Sequence, residues 1–195
     1  MAASHAGAGS ARLREVRIIG GRLKRSKLPV ADRPGLRPTP DRVRETLFNW
    51  LGQDLSGQTC VDAFAGSGAL GFEAASRGAR QVWMFEQDAS LVALLEASRQ
   101  RLEVPQLQVR RGDGIAGLAA CTPASVDLVF VDPPFAANLF EPALQAAHAA
   151  LKPGGLLYLE APQPWDATRC EALGYRLLKH LRAGAVHAHL LQRPA

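Results

Sequence analysis

The chain reads as an α/β domain built on a mostly parallel sheet that ends in an antiparallel hairpin. Two observations predict this. From residue 58 onward, short apolar runs alternate with helical stretches of a size suited to crossovers, the pattern of a parallel sheet covered on both faces. The last two strand-like runs, "YRLLKHL" and "VHAHLLQ", are separated only by "RAGA", too short for a parallel crossover and right for a hairpin. At 195 residues and 47% hydrophobic content, the chain has enough apolar material for one substantial core and too little length for two ordinary domains.

Residues 1–10, "MAASHAGAGS", are small and polar with no apolar segment of the signal-peptide kind, and are expected to be a disordered tail. Residues 11–39 form a basic extension. Within it, "EVRIIGGRLKRSKLPV" has two short alternating segments around Gly20-Gly21, which predicts a hairpin with a tight turn there and an Arg/Lys face in solvent. "RPGLRPTP" is a proline-punctuated linker closing on Thr39, a candidate N-cap, and Pro40, a candidate first helical residue. The main domain is expected over residues 40–195. It opens with "DRVRETLFNWL", where Val43, Leu47, Trp50 and Leu51 make the apolar side of a helix packed on the body.

The repeating part follows in order. "TCVDAF", "QVWMFE", "QLQVRRGD", "VDLVFVD" and "LLYLEA" read as strands. "GALGFEAASRG", "DASLVALLEASRQRL" with Asp88 as N-cap, the short "GIAGLAA", and "FEPALQAAHAALKPGG" running to its glycines read as the helices between them. With the terminal hairpin this makes a seven-stranded sheet. No apolar run approaches the ~18 residues of a membrane span, so a soluble, cytoplasmic protein is expected, with no sequence signal for self-association and hence a monomer. Cys60, Cys121 and Cys170 are far apart and read as idle thiols, and His187 and His189 alternate on one side of the last strand as a polar sheet face rather than a metal pair.

Charge is concentrated in one place. Residues 11–44 carry eleven Arg or Lys against three acids, a net of +8, and the rest of a chain whose total is +5 is therefore mildly acidic at −3. A basic arm on an acidic body points to phosphates as partners. Arg17, Arg22, Lys24, Arg25, Lys27, Arg37 and Arg42 are the candidate nucleic-acid contacts.

"DAFAGSGALG" contains G-x-G-x-x-G as Gly66, Gly68 and Gly71 between a strand and a helix, with Glu86 ending the next strand. This Rossmann-like arrangement is shared by dinucleotide sites. Asp62 separates the cases, because a carboxylate at the strand end repels a pyrophosphate and attracts the sulfonium and ammonium of S-adenosylmethionine. Glu86 suits ribose hydroxyls, and Asp113 in "RRGDG" can meet an adenine amine or cap a helix. With Phe64, Ser67, Gln87 and Gly114 beside them, Asp62, Gly66, Gly68, Glu86 and Asp113 form the expected cofactor-binding set.

A fourth strand-end acid, Asp132, begins "DPPF". Pro133 and Pro134 have no N–H and a fixed φ, so the turn is rigid and offers only acceptors. Its complement is a pure donor, such as the exocyclic amine of a nucleobase, with Phe135 as a stacking face. Hydrogen bonds to the Asp132 carboxylate and the Pro133 carbonyl would turn the amine's lone pair out of the ring, and Asp132 could take a proton. The base must leave any stack to reach it.

On "RIIGGRLKRSKLPV", "GLRPTPDRVRETLFNWL", "DAFAGSGALGFEAASRGA", "FEQD" and "VFVDPPF", the chain resembles the class I S-adenosylmethionine-dependent methyltransferases, and within them the RsmD family, which methylates a guanine N2 of bacterial 16S ribosomal RNA. The resemblance implies the seven-stranded sheet, S-adenosylmethionine as cofactor, contacts at Asp62, Gly66, Gly68, Glu86 and Asp113, catalysis at Asp132, Pro133, Pro134 and Phe135, and RNA contact by the hairpin and linker. The expected substrate is 16S ribosomal RNA in a 30S subunit or assembly intermediate. Beyond residue 138 the resemblance is only general and assigns no role. Two other readings stay open: an adenine N6 methyltransferase, which also uses a D-P-P-aromatic turn, and a non-catalytic RNA-binding assembly factor using the basic arm.

Overall fold

The structure, a computed structural model, describes residues 14–32, 39–135 and 138–195. A two-stranded antiparallel ribbon, β1 (Arg14–Arg17) and β2 (Lys27–Val30), precedes α1 (Asp41–Trp50). The alternating body follows as β3 (Thr59–Asp62), α2 (Ala69–Ser76), β4 (Gln81–Glu86), α3 (Ala89–Arg101), β5 (Leu107–Arg111), α4 (Gly114–Ala119), β6 (Val126–Val131), α5 (Phe140–Ala150) and β7 (Leu151–Ala161). It closes with α6 (Ala167–Ala172), β8 (Arg176–Ala183) and β9 (Val186–Gln192). The seven strands lie in the order β5-β4-β3-β6-β7-β9-β8. Both pairings of β9 are antiparallel, and the rest of the sheet is parallel. This is the expected α/β architecture, terminal hairpin included.

Each strand feeds two apolar layers, because successive side chains point to opposite faces. Phe130 and Tyr158 join Phe48, Leu47, Phe72 and Met84 under α1, α2 and the ribbon. Val129, Val131 and Leu159 join Leu144, Trp165 and Tyr175 under α5 and α6. The layer under α1 is the one that ends at the candidate site.

The ribbon reverses through a wide loop that contains Gly20-Gly21 rather than through a tight turn at them. The reversal spans residues 18–26, closed by Ile18 N–H to the Ser26 carbonyl at 2.9 Å and Arg25 N–H to the Ile18 carbonyl at 2.8 Å. The two glycines instead lie against α2. Ile19 and Gly20 donate their N–H groups to the Glu73 carboxylate at 2.9 and 2.8 Å, Arg22 N–H reaches the Ser76 carbonyl at 2.8 Å, and Leu23 N–H reaches Ser76 Oγ at 2.8 Å. Gly21 has φ +72°, and a Cβ there would lie 1.9 Å from the Ser76 carbonyl oxygen, so glycine is demanded by backbone approach to the helix.

Glu73 is wholly buried and is the center of this contact. Arg77 donates to Oε1 at 2.9–3.0 Å, and Arg44, also wholly buried, donates to Oε2 at 3.3 Å. Arg44 further donates to the Arg17 carbonyl at 2.8 Å, the Thr39 carbonyl at 3.2 Å and the Asp41 carboxylate at 2.6 Å. One of the eleven basic residues of the arm is thus a structural cation, closed to any partner.

Three local expectations are corrected. α1 starts at Asp41 with Pro40 in the cap position and no side-chain cap, because the buried Thr39 side chain is turned to Glu160 instead. Its buried face is Val43, Arg44, Leu47 and Phe48, with Trp50 only half-buried. Helix α5 stops at Ala150 rather than at the glycines. Leu151 is already extended (φ −65°, ψ 142°), and "LKPGG" enters β7 across a register shift between Val126↔Leu151 and Leu128↔Leu156.

His187 and His189 do share one side of the last strand, where their rings stack with that of His180, but this side is not uniformly open to solvent. His189 is fully buried, accepting Trp165 N–H at Nε2 (3.0 Å) with Nδ1 3.3 Å from the Leu159 carbonyl, so the proton sits on Nδ1 and burial pushes its pKa down to about 4. His187 stacks on His180, their ring nitrogens 2.9 Å apart. Among the described residues no helix is long and apolar enough to cross a membrane.

Glu73→Ala is expected to lower the unfolding free energy by roughly 3–5 kcal/mol in urea melts, since it takes from the buried Arg77 its carboxylate and leaves the buried Arg44 only the exposed Asp41. Limited proteolysis of this variant should cut within residues 18–26 first.

Candidate active site

β3 and β6 are neighbours in the sheet, and the chain leaves them in opposite directions, toward β4 and β5 on one side and β7 on the other. Open parallel sheets bind ligands in the crevice at the carboxyl ends beside such a switch point. Four acids stand there: Asp62 closes β3, Glu86 closes β4, Asp132 follows β6, and Glu160 is the penultimate residue of β7.

The structure brings the expected cofactor set to one rim. Phe64, Gly66, Ser67 and Gly68 form the loop between β3 and α2, with Phe64 and Ser67 half-buried. Gly68 caps α2 at φ +79°, where any Cβ would crowd Leu95, Phe72 and Met84. Asp62 Oδ2 accepts Gly71 N–H at 3.0 Å, the third residue of α2, while Oδ1 is buried with no hydrogen-bond partner among the described residues. A carboxylate thus already occupies part of the helix N-terminus where a phosphate would sit. Glu86 ties the loop to β4, accepting Gly66 N–H at 3.0 Å and Asp88 N–H at 2.9 Å, one on each oxygen. Asp113 caps α4 through Ala116 N–H at 2.8 Å and accepts the Gln87 amide at 2.9 Å, so both are held at the exposed edge. Gly114 touches the opposite loop, as a Cβ there would lie 1.7 Å from the Ala63 carbonyl oxygen.

The DPPF turn leaves the sheet between these acids. Asp132 is half-buried, Pro133 buried, and Pro134 and Phe135 exposed. Phe135, at 41% exposure, is the only large hydrophobic side chain exposed among the described residues. Its ring stands 6.4 Å from Phe140, which stands 6.2 Å from Trp165, so it is the outer end of an aromatic row rooted in the core.

Glu160 is the residue that sequence reasoning missed. It is 3% exposed, and its Oε1 accepts the Tyr158 hydroxyl at 2.8 Å. The signal was present: an acid at the carboxyl end of a buried strand, like Asp62 and Glu86. Glu73 carried a similar signal as the lone charge among the small and apolar residues of "GALGFEAAS".

The electrostatics of the row are those of anions awaiting a cation. Burial pushes Asp62 up to about 7, against the Gly71 N–H, with the charges of Glu86 and Glu160 adding to the rise. Burial, then Glu160, then Asp62 push Asp132 well above the usual carboxylate range. Burial likewise raises Glu160, opposed by hydrogen bonds from Thr39 and Tyr158. An orphaned anionic oxygen among like charges fits the sulfonium and ammonium of S-adenosylmethionine and repels a pyrophosphate.

Arg17, Arg22, Lys24, Arg25 and Lys27 are exposed on the ribbon and its turn, and Arg42 on α1. Lys27 pairs with Glu15 at 2.6 Å, and Arg22 donates to the Glu103 carbonyl at 3.2 Å. Arg37 lies outside the described residues.

Residues 16–192 match the family described as Conserved hypothetical protein 95. The chain is 40% identical over 183 residues to the ribosomal RNA small subunit methyltransferase D of Haemophilus influenzae, spanning 91% of this chain and 94% of that protein. It is 39% identical over 195 residues to the protein of the same name from Escherichia coli, spanning 98% and 94%. The solved structure of an Escherichia coli protein described as a methyltransferase superposes with a TM-score of 0.80 at 38% identity, covering 93% of this chain and 99% of that one.

The raised Asp62 pKa has a defined linkage. An acid that holds its proton more tightly folded than unfolded contributes stability below about pH 4 that is lost as pH rises toward 7. The ligand-free Asp62→Asn variant should therefore gain stability relative to the parent across that window, read as the difference between their urea midpoints at pH 5 and pH 8. The same variant should lose most of its affinity for S-adenosylmethionine in calorimetry.

Proposed function

Since this chain belongs to the RsmD family of S-adenosylmethionine-dependent ribosomal RNA methyltransferases, we propose that it methylates the exocyclic N2 amine of one guanine in 16S ribosomal RNA. It does so as a cytoplasmic monomer, on RNA held in a 30S subunit or assembly intermediate. The observation that carries the reading is Phe135, an exposed aromatic ring standing directly after the acceptor-only Asp132-Pro133-Pro134 turn.

Asp62, Glu86 and the loop from Phe64 to Gly68 hold the cofactor, with Gln87, Asp113 and Gly114 at its edge. When bound, S-adenosylmethionine supplies an electrophilic methyl group on a cationic sulfur. Phe135 stacks the flipped guanine. The Asp132 carboxylate and the Pro133 carbonyl accept the two N–H groups of N2, which turns the nitrogen lone pair out of conjugation. These acceptors strengthen their hold as positive charge grows on nitrogen, so the interaction favours the transition state over the ground state. Asp132 then receives one amine proton. Arg17, Arg22, Lys24, Arg25, Lys27, Arg37 and Arg42 bind phosphates and set the orientation of the RNA.

The substrate is tested by mass-mapping methylated nucleotides of 16S RNA from cells with and without the protein. A single N2-methylguanine should be lost, and loss of an N6-methyladenine instead would overturn the reading. Asp132→Ala should reduce turnover by at least 100-fold with cofactor affinity within threefold of the parent. Neutralising Arg22, Lys24, Arg25 and Lys27 together should weaken RNA binding and flatten its log–log salt dependence by up to about 3.6, since each neutralised phosphate contributes roughly 0.7–0.9 to the slope.

A further inference from the structure

Glu160 is a buried acid with no partner of opposite charge among the described residues. In the parallel pair β6–β7, Phe130 stands opposite Tyr158 and Val131 opposite Leu159, so the next step of the register places Asp132 beside Glu160, on the face covered by α1. Tyr158 donates its hydroxyl to Glu160 Oε1 at 2.8 Å, and the Thr39 hydroxyl is a second neutral donor. On the other flank, β9 presents Ala188 opposite Glu160 and Leu190 opposite Tyr158. The further charge that bears on the pair is Asp62 from β3, itself acted on by Glu86 of β4. Tyr158 of β7 is a neutral donor whose pKa burial and both carboxylates push up, and none of these acids is ion-paired among the described residues. A buried carboxylate held only by neutral donors beside a second, half-buried one is costly for folding alone. The two are useful where positive charge must be received.

We propose that Glu160 is a positioning residue for methyl transfer, holding a fixed negative charge beside Asp132 so that the proton released from the methylated amine ends on Asp132. The proposal rests on the reading of Asp132 as the amine acceptor. As the nitrogen lone pair forms the new N–C bond, the electron pair of the breaking C–S bond stays on sulfur, which becomes a neutral thioether. The nitrogen, now cationic, passes one proton to Asp132 and is left as a neutral secondary amine. Asp132, protonated beside the Glu160 anion, returns the proton to water when the product leaves. Hydrogen bonds from Tyr158 and Thr39 favour the ionised form of Glu160 against the burial that raises its pKa, which steers the proton to Asp132.

Glu160→Gln removes the charge and keeps an acceptor for Tyr158. The test is the pH dependence of kcat/KM, where activity falls on the acid side as Asp132 takes up a proton. In Glu160→Gln that inflexion should move to lower pH by about one unit or more, with cofactor affinity within threefold of the parent, and Glu160→Asp should restore it. A lower rate at every pH with the inflexion unmoved would show a purely structural role and overturn the proposal. Should Glu160→Gln fail to fold, carboxyl carbon NMR titration of the parent serves. The Asp132 and Glu160 signals should each move through two shared steps, and independent single-step titrations would overturn it. Turnover by Asp132→Ala, in contrast, would sink the reading of Asp132 itself, whatever Glu160→Gln does.

Discussion

The buried carboxylate of Glu73 is the interaction on which the rest of the molecule depends. A bare carboxylate in an apolar layer is strongly unfavourable, and this one is satisfied by two arginines and two backbone N–H groups drawn from three separate parts of the chain. Arg77 comes from the end of its own helix, Arg44 from α1, and the amides of Ile19 and Gly20 from the ribbon. Losing any donor leaves charge uncompensated, so ribbon, α1 and α2 are held as a unit. Phe48 of α1 then packs on Phe130 at 6.2 Å, and α1 lies over the sheet face where Asp62, Asp132 and Glu160 end.

The site placed under that cover is electrostatically the opposite of the anchor. Glu73 is matched by cations, whereas the acids at the strand ends are matched by neutral donors and by one another. The mismatch destabilises the ligand-free fold, and under the proposed function it favours what brings positive charge, first a sulfonium and then an amine gaining charge during reaction. The aromatic row from Trp165 through Phe140 to Phe135 adds the apolar counterpart, a ring held outward by the core. The exposed basic residues of the ribbon and α1 can meet phosphates without neutralising the strand-end acids, none of which is ion-paired among the described residues.

By itself the sequence determined the class of fold, the crevice and most of its lining, because those follow from local signals. Alternating strands and helices, a four-residue terminal turn, a glycine loop, and acids or prolines at strand ends are all set within a few residues of each other. Asp62, Glu86, Asp113 and Asp132 could be placed because a parallel sheet puts every strand's carboxyl end at the same edge. What only the tertiary structure decided depends on contacts far apart in the chain. Gly20-Gly21 looks like a turn and is a landing for α2, 53 residues away at Glu73. Arg44 looks like part of an RNA-binding arm and is a buried counterion, and Thr39 looks like a helix cap and leans on Glu160. Glu160 itself gains meaning only from register, since one step of strand pairing puts its charge beside Asp132 and no property of "YLEA" alone requires that.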